Sequence, residues 1–150
     1  MNGGFRIGNS RVVETRESPD GQIIRRRRVS ADGEQKFTTY ERVERPTIIV
    51  RKRNGGKELF DRAKLLSAAK RSVGKFFESE LEVEEVVGRV EDLIFARGEE
   101  EIDSKEIGEA MLDVLAEVNE VAFVRFASVF REFTSLDDFM EIIRERRKKG

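Results

Sequence analysis

The residues of this sequence best suited to chemistry are cations placed around a glycine turn. A glycine turn lets backbone amides approach a polyphosphate, and neighbouring cations neutralise its charge. The spacing is not that of a Walker loop. The pattern predicts a phosphate-binding turn; the alternative is a hairpin with a charged tip and an ordinary surface lysine on the helix that follows. The residues concerned are Lys52, Arg53, Gly55, Glu58, Phe60 and Lys64.

Four consecutive arginines, residues 25–28, form a second candidate site. They fall on a predicted strand, so alternate guanidinium groups should face opposite sides of the sheet. With Arg16 and Lys36 from flanking strands, they could form a surface that binds phosphates, since Arg binds phosphate in a bidentate fashion. The alternative is a solvated charged strand or a linker.

A third segment, residues 121–131, combines an almost wholly apolar helical pattern with two arginines. Aromatic residues at this spacing are typical of a core helix rather than of cofactor contacts. Arg125 and Arg131 are harder to explain, because a cation in so apolar a helix needs a carboxylate, a carbonyl or a phosphate as its partner.

Composition excludes several classes of function. The chain of 150 residues contains no Cys and no His, which removes disulfides, thiol and imidazole catalysis and the usual zinc ligands. No apolar run is long enough for a membrane span or a secretion signal, so we expect a cytoplasmic protein without a membrane partner. Residues 1–53 carry 13 Lys and Arg against 7 Asp and Glu, whereas the remainder carries 16 against 23. The first part should therefore attract polyanions.

The elements that position the arginines are three short strands with alternating polarity. They are predicted over residues 11–16, 23–28 and 35–40, with turns at residues 18–21 and 31–33. The apolar residues are few for an independent unit of this size, so something else should help it fold.

The rest of the chain is predicted to be a short hairpin followed by about five helices. Strands over residues 47–50 and 57–60 flank the glycine turn. Helix starts are indicated at Asp61, at a capping box from Asp103 to Glu106, at Asn119 and at Ser135. We expect the helix over residues 121–133 to be the most buried. The fold class is α+β, with a β module over residues 1–45, a helical domain over residues 46–135 and a C-terminal helix with a basic end over residues 136–150.

Taken together, these stretches resemble NrdR, the bacterial repressor of ribonucleotide reductase genes, over almost the whole chain. Three separated matches in the same order are far more specific than any one motif. They comprise residues 25–28 and 36–42; Lys52, Arg53, Gly55, Glu58, Phe60, Asp61, Lys64 and Leu65; and Ser104, Ile107, Gly108 and residues 121–131.

The resemblance implies a small zinc ribbon that binds operator DNA, joined to an ATP-cone that binds ATP or dATP as allosteric ligands and changes oligomeric state. It implies that Lys52, Arg53 and Lys64 bind phosphates. It also implies that Val50 and Leu65 pack near the adenine, and that Glu58 accepts a hydrogen bond from the adenine amino group.

Two departures from the family pattern are informative. The four zinc cysteines of the family fall here at Gly3, Arg6, Ser30 and Gly33, so no zinc is expected and the ribbon must fold by other means. Phe123 and Phe130 stand where the family usually carries tyrosines, which removes two hydroxyl groups.

Three classes of function can be weighed against these features. The first is a nucleotide-responsive repressor that binds double-stranded operator DNA through Arg16, residues 25–28 and Lys36, and that forms homo-oligomers according to the bound nucleotide. The alternative is a nucleotide-sensing oligomerisation module that lost specific DNA binding with its zinc site. An enzyme is not expected, because no base and nucleophile pair can be assembled.

Overall fold

The computed structural model of the protein describes residues 5–149 and divides the chain into two compact units, residues 1–45 and 46–150. The first unit is an antiparallel sheet in the order β1-β2-β3, which confirms the prediction of three strands. Gly21 and Gly33 adopt φ of 74° and 76° in the two connecting turns, a region that favours glycine. The strands are β1 (Ser10–Glu17), β2 (Ile24–Ser30) and β3 (Lys36–Glu41).

The first unit has a very small core. Among its described residues only Ser18, Ile23 and Val29 are buried, while Val12 and Val13 remain exposed. Hydrophobic burial alone therefore stabilises this sheet little.

The second unit begins with the predicted hairpin. Strands β4 (Ile49–Arg51) and β5 (Lys57–Leu59) pair antiparallel. A third strand, β6 (Glu101–Asp103), pairs parallel to β4 and was not predicted from the sequence. Its three residues are too short for a period to be recognised, and its partner lies far away along the chain.

Five helices complete this unit, and local capping interactions define their starts. The Asp61 side chain accepts a hydrogen bond from the Ala63 amide, and the Asn119 side chain accepts one from Ala122. The second helix begins with a capping box of Ser79 and Glu82. The helices are α1 (Arg62–Val73), α2 (Glu80–Phe95), α3 (Ser104–Val118), α4 (Glu120–Phe130) and α5 (Leu136–Lys149).

The expectation that the helix over residues 121–133 is the most buried is wrong. In α4 only Ala122, Phe123 and Ala127 are buried, and Val121 and Val129 are 61% and 57% exposed. The core lies mainly between α2 and α3, which bury eight and six residues respectively. None of the helices over residues 5–149 contains a segment both apolar and long enough to span a bilayer.

Candidate nucleotide site and nucleic-acid face

The turn between β4 and β5 is closed by its own hydrogen bonds. The Lys52 amide donates to the Gly56 carbonyl at 2.8 Å, and the Gly55 amide donates to the Lys52 carbonyl at 3.0 Å. Gly55 adopts φ of 88°, and the Asn54 side chain accepts a hydrogen bond from the Gly56 amide. The turn is exposed to solvent, and so are the side chains of its two cations, Lys52 and Arg53.

The two lysines predicted to bind phosphate meet at a single carboxylate oxygen. Lys52 Nζ and Lys64 Nζ each lie 3.1 Å from Glu58 Oε2. The hydrogen bond from Lys64 and then that from Lys52 hold the pKa of Glu58 below its ordinary value. Residues from the turn, from β5 and from α1 are thus brought together, and the cations are partly neutralised in this state.

The remaining residues of the predicted nucleotide site lie in the turn, on β4 and on α1. Arg53 is largely exposed, and its guanidinium is 3.8 Å from the Glu132 carboxylate just after α4. Val50 is 6% exposed on β4, and Leu65 on α1 packs against the core. An apolar residue therefore lies close in sequence to each lysine: Val50 on β4 precedes Lys52, and Leu65 on α1 follows Lys64.

A second ionic network, which was not predicted from the sequence, ties the hairpin to β6. Arg51 Nε donates to Asp103 Oδ1 at 2.7 Å, and Arg51 also contacts Glu101. Lys57 Nζ on β5 lies 2.8 Å from the other oxygen of Glu101. The hydrogen bond from Arg51 holds the pKa of Asp103 below its ordinary value. This network crosses all three strands at the end of the hairpin next to the turn.

The helix over residues 121–131, with its two arginines, packs closely on α3. A side chain at Gly108 would place its Cβ 2.1 Å from a ring carbon of Phe130, so only glycine fits there. Phe130 also stacks on Phe126, with ring centroids 5.7 Å apart, and Phe123 lies in the core. Arg131 contacts the Glu109 carboxylate at 3.3 Å, whereas Arg125 is exposed.

A cavity of about 630 Å³ lies elsewhere in the second unit, among α2, α3 and α5. Five carboxylates and three arginines line it, and it contains none of the residues predicted to bind nucleotide. An excess of carboxylates opposes the binding of a triphosphate. We therefore place the candidate nucleotide site at the hairpin and not in this cavity.

In the first unit, the strand register separates the arginines onto two unequal faces. Residues paired across adjacent strands share a face, so Arg16 shares one with Arg25, and Arg26 shares the other with Thr39. The first, which we call the basic face, carries Arg11, Arg16, Arg25, Arg27 and Lys36 with one carboxylate, Glu14; the opposite face carries Arg26 and Arg28 with Glu17 and Glu41.

Arginines on both faces are engaged within the sheet; on the basic face, Arg16 and Arg25 contact Glu14 at 2.9 Å and 3.6 Å. Arg26 contacts Glu41 at 3.4 Å and the Thr15 hydroxyl at 3.2 Å, and Arg28 donates to Thr39 and Ser10. The structure thus divides the six arginines and lysines predicted to bind DNA, placing four on the basic face and two on the other. Arg11 was missed because its strand partner could not be known without the register, which a bulge between Val12 and Glu14 shifts.

Comparison with known protein families accounts for both units. The family model of the ATP cone domain matches residues 48–136, and that of the N-terminal domain of NrdR-like transcriptional repressors matches residues 6–41. The chain belongs to the NrdR family of transcriptional repressors. It is 44% identical to a transcriptional repressor NrdR of Kosmotoga olearia over 91% of this chain and 86% of the relative. The corresponding figures are 40%, 91% and 87% for the repressor of Streptococcus sanguinis, and 41%, 94% and 90% for that of Latilactobacillus sakei.

The NrdR assignment confirms the α+β fold with an ATP-cone after a small β module. The curated relatives are named transcriptional repressors, which is a regulatory role rather than an enzymatic one. The ATP-cone match includes the hairpin and the first four helices of the second unit.

The residues present do not fit the zinc ion that a zinc ribbon holds. Gly3 lies outside the described residues, and Arg6, Ser30 and Gly33 offer neither thiolate nor imidazole. The Ser30 hydroxyl donates to Asp32 and accepts from the Gln35 amide, so it is already engaged. Within residues 5–149 no group of three or more potential metal-ligating side chains comes together.

Proposed function

We propose that this protein is a nucleotide-responsive repressor that binds ATP or dATP at the hairpin and binds DNA through the basic face. The single observation that carries the nucleotide part is the meeting of Lys52 and Lys64 beside the glycine turn, within the region matched by the ATP-cone model. Two cations converging on one anionic oxygen can equally converge on a phosphate oxygen.

The resemblance to NrdR supplies the proposed roles of the individual residues. Lys52, Lys64 and the exposed Arg53 bind the phosphates, while Val50 and Leu65 pack near the adenine. Glu58 accepts a hydrogen bond from the adenine amino group once the phosphates draw the lysines away from it. On binding, the phosphates therefore replace the Glu58 carboxylate as the partner of the two lysines. This replacement changes the contacts between the hairpin and α1.

The DNA part of the proposal is supported by the basic face. It presents five cations against one carboxylate, so it can neutralise several phosphates of a duplex at once. Each neutralised phosphate releases condensed counterions, and this release drives much of the binding of proteins to duplex DNA. Arg16, Arg25, Arg27 and Lys36 contact the DNA backbone there, while Arg26 and Arg28 mainly hold neighbouring strands. The resemblance to NrdR makes the operators of ribonucleotide reductase genes the targets.

Assembly links the two activities. A nucleotide that changes the affinity between subunits also changes the number and spacing of the basic faces that an oligomer presents to DNA. By linkage, DNA binding then changes the affinity for nucleotide by the same factor.

The absence of zinc ligands favours the alternative function, a nucleotide-sensing module for oligomerisation that no longer binds DNA specifically.

Two measurements test the proposal. Calorimetry on the full chain should detect stoichiometric binding of ATP or dATP, and the absence of binding heat with both would refute the nucleotide part. Anisotropy at fixed salt should show that a duplex from upstream of a ribonucleotide reductase gene binds more tightly than a scrambled duplex, to an extent that depends on the nucleotide. Equal affinity for both duplexes under every nucleotide condition would leave the oligomerisation module as the better description.

A further inference from the structure

The two turns of the N-terminal sheet have the same sequence pattern and the same hydrogen bonds. Each begins with serine, followed by any residue, aspartate and glycine: Ser18 to Gly21 before β2, and Ser30 to Gly33 before β3. The second turn includes Ser30 and Gly33, the positions of two zinc ligands in the family pattern. The same type of turn therefore precedes and follows the central strand, β2.

The correspondence extends to every bond of the turn. In the first, the Ser18 hydroxyl donates to Asp20 at 2.6 Å and accepts from the Ile23 amide at 3.1 Å. In the second, the Ser30 hydroxyl donates to Asp32 at 2.5 Å and accepts from the Gln35 amide at 3.1 Å.

The aspartate of each turn completes the network. Asp20 accepts from the Gln22 amide at 3.1 Å, and Asp32 accepts from the Glu34 amide at 3.0 Å. The backbone closes both loops in the same way, since the glycine amide donates to the serine carbonyl at 2.8 Å and 2.9 Å respectively. Hydrogen bonds to the carboxylate, first from Ser30 and then from Glu34, hold the pKa of Asp32 below its ordinary value.

We propose that the Ser30–Asp32 hydrogen-bonded turn replaces the metal-binding loop of a zinc ribbon, so that the β module folds without zinc or thiols. A metal ion in such a loop holds backbone amides around its ligands; here one hydroxyl and one carboxylate hold the same segment. Charged hydrogen bonds of this kind contribute more than neutral ones, which compensates in part for the small core. The DNA-binding face then responds to neither chelators nor oxidants of cysteine.

The test is amide hydrogen exchange of the full chain, together with its metal content. We expect no zinc in the purified protein and unchanged exchange over residues 24–41 after treatment with a strong chelator. Asp32→Ala should accelerate exchange in β2 and β3 about tenfold, whereas Asp32→Asn, which keeps an acceptor oxygen but loses the charge, should accelerate it by a smaller factor. Glu34→Ala is the matched control, since only its backbone amide takes part.

Stoichiometric zinc whose removal accelerates exchange would overturn the proposal, as would equal exchange in the Asp32→Ala and Glu34→Ala proteins. The readout involves neither DNA nor nucleotide, so this result is independent of the proposed repressor function.

A different observation, on the C-terminal helix, supports a second proposal. Along α5 the residues Leu136, Met140 and Ile143 recur at helical spacing and are 81%, 49% and 38% exposed, while Ile142 faces the core. Residues at this spacing share one face of a helix. The second unit therefore leaves an apolar stripe of α5 uncovered.

Charge beside this stripe changes sign along the helix. Asp137 and Glu141 lie in the first half and Arg144 and Lys148 in the second, at helical spacing on an adjoining line, and all four are exposed. Antiparallel pairing of two such helices would place Asp137 opposite Lys148 and Glu141 opposite Arg144. Parallel pairing would instead oppose like charges.

We infer that α5 pairs antiparallel with α5 of a second copy of this chain. The inference deepens the proposed function by naming a surface for self-association. A helix of this length buries less area than a typical stable interface, so the pairing is weak and depends on concentration.

Light scattering over a concentration series, with and without ATP, tests this surface. Met140→Glu should weaken self-association at least about tenfold. Glu141→Arg should weaken it by a smaller factor, and the double variant Glu141→Arg with Arg144→Glu should restore it, because the opposite charges then face each other again. Leu59→Glu, at an apolar position on β5 that is more exposed than Met140, is the control and should leave association unchanged.

Association that is unaltered by Met140→Glu, or double variants no better than the single one, would refute α5 pairing. Nucleotide binding measured on the same proteins by calorimetry separates this outcome from failure of the proposed function.

Discussion

Lys64 Nζ lies 3.1 Å from Glu58 Oε2, so one of the cations proposed to bind phosphate is held by a carboxylate of the neighbouring strand. Lys52 reaches the same oxygen at the same distance. A triphosphate must compete with Glu58 for both lysines. The affinity of the site for nucleotide thus depends on how strongly Glu58 and the triphosphate compete for the two lysines.

Replacing Glu58 tests this competition directly. Glu58→Gln removes the competing charge and keeps an oxygen that can accept a hydrogen bond from adenine, so we expect ATP to bind about fivefold more tightly. Calorimetry measures the change, and Glu80→Gln, which removes the partner of Lys70, is the control. Weaker binding by Glu58→Gln would mean that the carboxylate charge itself is needed for recognition.

Lys64 should contribute more to nucleotide binding than another lysine of the same helix. We expect Lys64→Ala to lower the affinity for ATP at least about tenfold, because a charged hydrogen bond to phosphate is lost. Lys70→Ala, on α1 but paired with Glu80, should leave affinity within about twofold of wild type. Equal effects in calorimetry would show that general charge, and not the position beside the turn, determines binding.

Neighbouring arginines of β2 should differ in their effect on DNA binding because they face opposite sides of the sheet. Arg25→Ala, on the basic face, should weaken binding uniformly across sequences and reduce the slope of log affinity against log salt by about one. Arg26→Ala, whose side chain contacts Glu41 and Thr15, should change the slope little. Anisotropy titrations at several salt concentrations measure both slopes. A larger change of slope in Arg26→Ala than in Arg25→Ala would assign DNA binding to the opposite face.

Gly108 should tolerate no side chain. Gly108→Ala forces its methyl group against the ring of Phe130, so we expect a loss of about 1–3 kcal/mol in the free energy of unfolding. Gly74→Ala is the matched control, since its Cβ would meet its nearest neighbour at 3.9 Å and its φ of −55° suits alanine. Chemical denaturation measures both, and a neutral Gly108→Ala would show that α4 shifts easily on α3.

A buried ionic cluster between α1 and α2 should be sensitive to loss of its arginine. Arg62 lies 2.6 Å from Glu84 and 2.8 Å from Glu91, and both carboxylates are less than a tenth exposed. Arg62→Met removes the cation that both buried carboxylates contact, so we expect a loss of about 3–5 kcal/mol in the free energy of unfolding. Adding Glu84→Gln and Glu91→Gln should recover most of it, and denaturation curves that show no recovery would contradict an ionic cause.

Short-range chemistry made much of the fold predictable. Asp61 and Asn119 cap helices through side chains that reach only two or three residues along the chain, and the turn glycines Gly21 and Gly33 act within a few residues. The strand that contains residues 25–28 is indicated by the turns on either side of it. Such features depend on neighbours in sequence, so the sequence alone contains the information.

The rest depended on contacts between residues far apart in the chain. Only the tertiary structure placed Glu101–Asp103 beside β4, joined Arg62 to Glu84 and Glu91, and left one side of α4 open to solvent. The sequence determined which residues carry charge and which segments form helices and strands. The packing decided which charges meet, because register, burial and cross-helix distances arise only when separate elements close on one another.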